Sequence, residues 1–575
     1  MSHGNDDVRK DLQKKINQQI VECKKAQKAR IEKGFRDNNT KSAWKTMQDL
    51  TGYKTQPKTS PFGQSTEFVE GLNDYYCRFD DEDHKRENDD IVSMLHSKWQ
   101  EDSETKLYIT EHEVRRLFDN LALNKSPGPD GISNKVLRKC KDQLAYVFTK
   151  LFQKSLDLVS VPTLWKTSLI SPLPKSNKCT EFKDFRPISL TCNVMKCLEK
   201  IMLKLLMHYT GIHLDPLQFA YRQNRGVDDA VLTFLHGICQ HLDVNRNFVR
   251  ALFVDFSSAF NTIKPHILAN ELMEMNVPPQ LVLWINDFLL GRPQAVRMGG
   301  TQSSTKVIST GAPQGCVLSP ALFSLYTSQC TSGNGKCNII KYADDTVITG
   351  FLSSNETHDY VDTVRVFTEW CDDHNLQLNV SKTKELVFDF RKKPEAGHEP
   401  LFLHGKEVEQ VGEYKYLGTT ITKTLDWTVN VNSLTKKGNQ RLYFLRRLNK
   451  LHIDRSIMVL FYQSLIQSLL TFNLVCYFGN GTQQNRDRLD RVRRVAQRVI
   501  GQNLPSLNHL FERKVLSKID KIMADKSHPL NEHYSFNRSG IRLCVPRTNR
   551  ARFRQSFVPN SIHLFNHLAR RDHSS

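Results

Sequence analysis

None of the 13 cysteines forms a Cys-x-x-Cys pair, and they show no visible metal spacing. An odd count without such spacing argues against a zinc ribbon or a disulfide framework. It points to reduced thiols in an intracellular setting, nuclear or cytoplasmic. His528, His533 and Cys544 are isolated and read as surface residues. A leader is also missing, since MSHGNDDVRK has no apolar core and no targeting signal is evident. Long uncharged runs are scarce. The main one, Ile457 to Phe478, has 22 residues, a length that can cross a bilayer. Yet Gln463, Ser464, Gln467, Ser468, Thr471 and Asn473 recur mostly at three- and four-residue steps. That pattern reads as a buried helix with one polar stripe, with no membrane implied. Acids are in deficit: 81 Lys+Arg against 61 Asp+Glu leave a net charge of +20. Such a balance suits a polyanionic partner without naming an activity.

What is present centres on NIIKYADDTVIT, residues 338–349, where two β-rich runs meet at Ala343-Asp344-Asp345. Apolar, β-branched flanks around a short polar centre predict a hairpin. Asp-Asp pairs are common in solvated turns. At a tip crowded by protein, however, two carboxylates repel and a bound cation relieves them. A second acidic strand sharpens the choice. ALFVD, residues 251–255, is an apolar run ending in Asp255, as expected of a buried strand with chemistry at its exit. Side by side, these strands would let Asp255 and Asp344 hold two Mg²⁺ for phosphoryl displacement. Between them, GAPQGCVLSP (311–320) reads as a close backbone approach leading into a helix.

FVDFSSAF, GAPQGCVLSP and KYADD, in that order, resemble motifs A, B and C of reverse transcriptases. The wider resemblance is to the non-LTR (LINE-type) retrotransposon branch. NKSPGPDGIS (124–133), LISPLPKSN with DFRPISL (169–190) and FAYRQNRGVDDAV (219–231) resemble its fingers and early palm blocks. LQLNVSKTKELVF (376–388) resembles motif D and YKYLGTTI (414–421) the primer-grip motif E. The blocks stand in register over about residues 110–425.

The resemblance implies an α+β, right-hand polymerase fold: fingers, a palm with an antiparallel sheet and a helical thumb, flanked by basic helical extensions. Its expected division is 1–109 (basic extension and linker), 110–425 (fingers and palm), 426–505 (thumb) and 506–575 (basic C-terminal region). It implies an RNA-directed DNA polymerase with an RNA template, a DNA primer and dNTPs as partners, and no obligate protein partner is evident. The expected cofactor is two Mg²⁺, with Mn²⁺ as a possible substitute.

Carried onto matching positions, Asp255, Asp344 and Asp345 are the catalytic acids, and Asp255, Phe256 and Asp344 the metal-holding positions. Lys175, Arg186, Phe260, Gln314 and Gly315 would bind the dNTP, with Phe260 as the ring that excludes a 2′-hydroxyl. Lys382 or Lys384 would protonate pyrophosphate, and Tyr416, Leu417 and Gly418 would grip the primer. Arg486, Arg491, Arg493, Arg494 and Arg498 crowd one predicted helix and read as nucleic-acid backbone contacts.

Elsewhere, residues 8–50 read as a basic helix with Leu12, Ile16, Ile20 and Cys23 on one stripe, either an RNA contact or a solvated linker helix. Residues 55–64 read as a linker and 80–90 as an exposed charged loop. Val136, Leu144, Val147, Phe148 and Leu151 read as core. In the tail, Phe553, Phe557 and Phe565 are expected to dock on the body rather than to stack on bases. About a hundred residues precede the first fingers motif, too few for an endonuclease of this element type, and no zinc knuckle or RNase H region is evident. The expectation is an N-terminally truncated fragment. A catalytically idle nucleic-acid-binding relic is the alternative. An RNA-dependent RNA polymerase is disfavoured by Phe260 and the YADD tip.

Overall fold

A computed structural model describes residues 3–37, 40–51, 65–80, 85–101, 106–176, 179–353, 357–391, 398–538 and 540–572. The expected linker at 55–64 lies outside them. At the centre is a five-stranded sheet in the order Glu409–Gln410, Lys384–Asp389, Phe248–Val254, Asp345–Leu352, Cys337–Tyr342. All pairings are antiparallel except the short parallel edge between the first two. Phe248–Val254 is buried along its whole length, and strand alternation divides its side chains between two cores. Phe248, Leu252 and Val254 join one helical layer. Val249, Ala251 and Phe253 join the other, which includes the Val227–His241 helix and most of the C-terminal helices.

One central position breaks the apolar run. Arg250, 1% exposed, donates from Nε and Nη2 to the two carboxylate oxygens of Glu385 at 2.8 and 2.9 Å. The Tyr360 hydroxyl donates to the same carboxylate at 2.9 Å.

A second sheet packs beside the first. Ser168–Pro174 pairs antiparallel with Phe185–Leu190 and parallel with Arg292–Met298. The Thr66–Cys77 helix, N-capped by the Ser65 side chain, lays Phe68, Val69, Leu72 and Tyr76 against Ile170, Phe185 and Val296 of that sheet. The Thr66–Cys77 helix is therefore packed on this sheet.

Several expectations are corrected. The predicted loop at 80–90 is helical from Lys85 onward, as the start of Lys85–Glu101. Val147 and Leu151 are 49% and 44% exposed, because the Lys141–Asp157 helix buries Ala145, Phe152 and Leu156 instead, and Val136 is 51% exposed because its own helix, Asn134–Lys139, buries Asn134 and Leu137. The 8–50 stretch is two helices, His3–Arg36 and Thr40–Thr51. The Leu12, Ile16 and Ile20 stripe is exposed while Ile31 and Met47 are buried. His528 is buried, facing Asp229 at 3.3 Å, and His533 is half-buried with its Nε2 3.0 Å from that of His236.

The uncharged run is not one regular helix. Arg455–Phe461 passes into a π-helical segment, Tyr462–Gln467, and then into two short helices. By length and composition, Arg455–Tyr477 could cross a membrane, but half of its most apolar stretch is buried inside the protein. Gln463, Ser464 and Ser468 form its exposed polar side, while Thr471 and Asn473 turn inward. Phe553 and Phe557 are buried and Phe565 packs beside them, so the tail's aromatics dock on the body.

Candidate active site

The hairpin tip is a two-residue connection between Tyr342 and Asp345, which pair directly. Ala343 takes φ +56°, and its N–H donates to the Gln218 side chain at 3.2 Å. Gln218 is fully buried and also accepts from Ala220 N–H, so it holds the tip from below. Sequence reading missed it, although it immediately precedes the FAYRQN block. The last rung beside this tip is Val254↔Thr346, which places Asp255 next to the acidic pair. The Asp255 N–H donates to Thr383 Oγ1 at 3.3 Å and its carbonyl accepts from Asn379 N–H at 2.8 Å.

Asp255 and Asp344 line one cavity of about 400 Å³ together with Tyr75, Tyr76, Arg78, Lys175, Lys183, Arg186, Phe256, Ser258, Phe260, Gln314 and Lys382. Partial desolvation, then the Asp255 charge, pushes the Asp344 carboxyl up, against the pull of its own backbone N–H and of Arg186. Desolvation, followed by Asp344 and Asp255, pushes Asp345 up to about 6. Asp345 also acts on Tyr414 and Tyr416, raising both hydroxyls after their own burial. It is not among the cavity-lining residues.

The crowding of carboxylates at the tip fits a divalent cation. Asp255 Oδ2 is buried without a hydrogen-bond partner, and the ammonium nearest to it, Lys382, is 3.6 Å away. Among the described residues no three His, Cys, Asp or Glu side chains form a ready cluster. Asp255 and Asp344, with the Phe256 carbonyl, would supply a partial oxygen set. A small hard cation completes such a set with water and substrate phosphates.

The opposite wall is cationic. Lys175 Nζ donates to the Lys183 carbonyl at 2.6 Å, and burial followed by repulsion from Lys382 and Arg186 pushes its amine down. Of the two candidate acids, Lys382 lies in the cavity. Lys384 is instead engaged by Glu409 at 2.7 Å and by the Ser381 carbonyl.

The floor comes from Phe260, stacked on Phe323 with ring centres 4.8 Å apart, and from Gln314, which donates to Asn261 Oδ1 at 3.1 Å. Gly315, at φ +112°, leaves a Cβ only 3.0 Å from the Ser189 carbonyl, so a side chain there would crowd the strand. Glu199, also missed, is fully buried and accepts from Val317 and Leu318 N–H at 2.5 and 3.0 Å. It anchors the turn that carries Gln314, and burial pushes its carboxyl up to about 7.

The remaining predicted contacts divide. Tyr416 is buried against Phe234 and Phe253, so it supports the sheet and cannot itself touch a primer. Leu417 and Gly418 form the adjoining turn, which Asn473 Nδ2 ties through Thr419 Oγ1 at 2.8 Å. In the Gln483–Ile500 helix, Arg493 forks onto Asp490 at 2.6 and 2.9 Å. Arg486 donates to the Phe478 and Gly479 carbonyls. Both are engaged within the protein. Arg491, Arg494 and Arg498 stay exposed.

A buried sheet thus offers two acids at its rim, in one cavity with a basic wall. Residues 173–421 match the family signature described as "Reverse transcriptase (RNA-dependent DNA polymerase)". Residues 427–468 also match a short signature, "Alkylated DNA repair protein alkB homolog 8, N-terminal". The chain is 26% identical over 391 residues to the RNA-directed DNA polymerase from mobile element jockey of Drosophila melanogaster, covering 64% of this chain and 41% of that protein. It is 26% identical to the probable RNA-directed DNA polymerase from transposon X-element of the same fly, covering 60% and 39%. To the Pol polyprotein of the type-1 element R1 of Bradysia coprophila it is 24% identical, covering 64% and 37%. It thus spans about two fifths of the length of these relatives, all of them proteins of mobile elements.

Proposed function

We propose that this chain is an RNA-directed DNA polymerase of a non-LTR retrotransposon, extending a primer 3′-hydroxyl with dNTPs on an RNA template. The observation that carries the reading is the meeting of Asp255 and Asp344, from neighbouring strands, in one cavity with Phe260, Gln314 and a basic wall. The central sheet is then the palm, the Ser168–Pro174 sheet the fingers, and the helices from Thr428 to Ile500 the thumb.

Asp255 and Asp344 would hold two Mg²⁺, which supply activation of the primer hydroxyl and neutralisation of the leaving pyrophosphate. Lys175 and Arg186 bind phosphate oxygens, Arg186 by its planar fork. Gln314 lies beneath the base and sugar, and Lys382 delivers a proton to the departing pyrophosphate. The bond formed joins the primer oxygen to the α-phosphorus. The α–β phosphoanhydride bond breaks, its electrons leaving with pyrophosphate. Primer extension on an RNA template with dNTPs and Mg²⁺ tests the reading, and a folded protein that binds the duplex yet adds no nucleotide would overturn it in favour of an idle relic.

Two variants probe the parts. Phe260→Ala should raise the ratio of ribo- to deoxyribonucleotide incorporation, because it opens space at the 2′ position. An unchanged ratio on soluble, folded protein would return Phe260 to the role of a core ring stacked on Phe323. Replacing Arg491, Arg494 and Arg498 together with Gln should weaken template–primer binding and reduce the slope of log affinity against log salt by up to about 2 to 3. An unmoved slope would place the nucleic acid elsewhere.

A further inference from the structure

The nucleotide cavity has a wall that no motif accounts for. Arg78 follows the Thr66–Cys77 helix, nearly a hundred residues before the family match begins. Its guanidinium lies 3.7 Å from the centre of the Tyr75 ring and 4.0 Å from that of Phe79. Nη1 donates to the Tyr75 carbonyl at 2.5 Å and Nη2 to Ser258 Oγ at 3.0 Å. Ser258 stands between Asp255 and Phe260 and takes φ +60°. A long cationic side chain is thereby fixed before any ligand arrives, and its ordering entropy is already spent. Among the described residues no carboxylate pairs with it. A second observation is independent of the arginine: Tyr76 lines the same cavity and is 3% exposed, yet its hydroxyl has no hydrogen-bond partner among the described residues. A buried donor left unsatisfied awaits an acceptor.

We propose that Arg78 and Tyr76 complete the polyphosphate end of the nucleotide pocket, binding the β- and γ-phosphates of the incoming triphosphate and the pyrophosphate they become. This rests on the polymerase reading. The chemistry favours phosphate over a carboxylate ligand. Arg78, Lys175, Arg186 and Lys382 outnumber the two acids of the cavity, and Lys183 is drawn off by Glu181 at 2.7 Å. A guanidinium fork and a phenol can both donate to the non-bridging oxygens of a polyanion.

The test uses the whole chain loaded with a dideoxy-terminated primer on an RNA template. Inorganic pyrophosphate with Mg²⁺ is titrated by calorimetry. Arg78→Gln should weaken pyrophosphate binding roughly tenfold to a hundredfold, the worth of a charge-assisted hydrogen bond or two. Arg78→Lys should recover part of the loss, and Tyr76→Phe should lose less than Arg78→Gln. With an extendable primer, the KM for dNTP should rise by a similar factor, with kcat changing far less.

Ser258→Ala separates ligand binding from tethering, since it removes the hydrogen bond and keeps the charge. If it reproduces the whole Arg78→Gln loss, Arg78 merely anchors the Ser258 turn and the proposal falls. The proposal also falls if pyrophosphate binds Arg78→Gln and Tyr76→Phe as tightly as wild type. Should Arg78→Gln fail to fold, Arg78→Lys and Tyr76→Phe carry the decision. Wild-type protein that binds pyrophosphate but never extends a primer would count against the polymerase reading alone.

Discussion

Asp255→Asn and Asp344→Asn should each abolish primer extension while leaving RNA binding nearly intact. Each carboxylate would hold cations that no other side chain of the cavity can replace, since the remaining charged groups there are lysines and arginines. Near-normal extension by either variant would remove that acid from the metal assignment. Asp345 adds a pH signature. Its folded-state carboxyl is pushed up to about 6, so protonation is favoured in the metal-free fold. Its contribution to stability is fully present below its ordinary range and is lost as pH rises through about 6. Metal-free Asp345→Asn should therefore melt above wild type at pH 8, the difference closing toward pH 4. For the same reason protons compete with Mg²⁺, and the apparent metal affinity should weaken as pH falls below about 6. A melting difference that does not vary with pH would show that the tip is not electrostatically strained.

The largest stability effect should come from the sheet rather than the site. Arg250→Met should cost about 3–5 kcal/mol, because it leaves the Glu385 carboxylate buried without its cation. Glu385 is 0% exposed, and its remaining donors would be the Tyr360 hydroxyl and the Gln410 amide. The double variant Arg250→Met with Glu385→Leu should recover much of that loss, since well-packed apolar pairs often match buried ion pairs. Urea unfolding of both variants measures the difference. A single variant within about 1 kcal/mol of wild type would mean that water reaches Glu385 and that the pair is not sealed.

The acidic hairpin and its partner strand were readable because β-branched runs ended abruptly in carboxylates, and order along the chain gave their pairing. The turn that carries Gln314 was readable from Gly311 and Gly315, whose positive φ the tight approach requires. Less was visible where a pattern fixes a helix but not its neighbours. The apolar positions of Lys141–Asp157 were evident, yet which face meets the body depends on helices far away in sequence. The arginines of Gln483–Ile500 were counted as free charge, although Asp490 stands three residues before Arg493, a spacing at which helical side chains meet. The Thr66–Cys77 wall left no local signal, because its contacts lie far along the chain, as in Asn73 with the Ser304 carbonyl.

The ion pair at the head of the Val227–His241 helix bears on how this protein is made. Asp229, buried beneath the central sheet, is answered by Lys518 Nζ at 3.0 and 2.9 Å across 289 residues of chain, and Arg225 meets Asp525 across 300. On a ribosome the helix and the strands beside it emerge long before these partners exist. Until then Asp229 has neither its lysine nor His528, and the apolar face that the C-terminal helices cover stays open. Loops of this length close slowly and expose aggregation-prone surface while they wait. The central sheet is therefore translated before the helices that seal it, and a ribosome stalled between residues 410 and 518 would hold a chain with its acidic pair in place and one of its two cores unfinished.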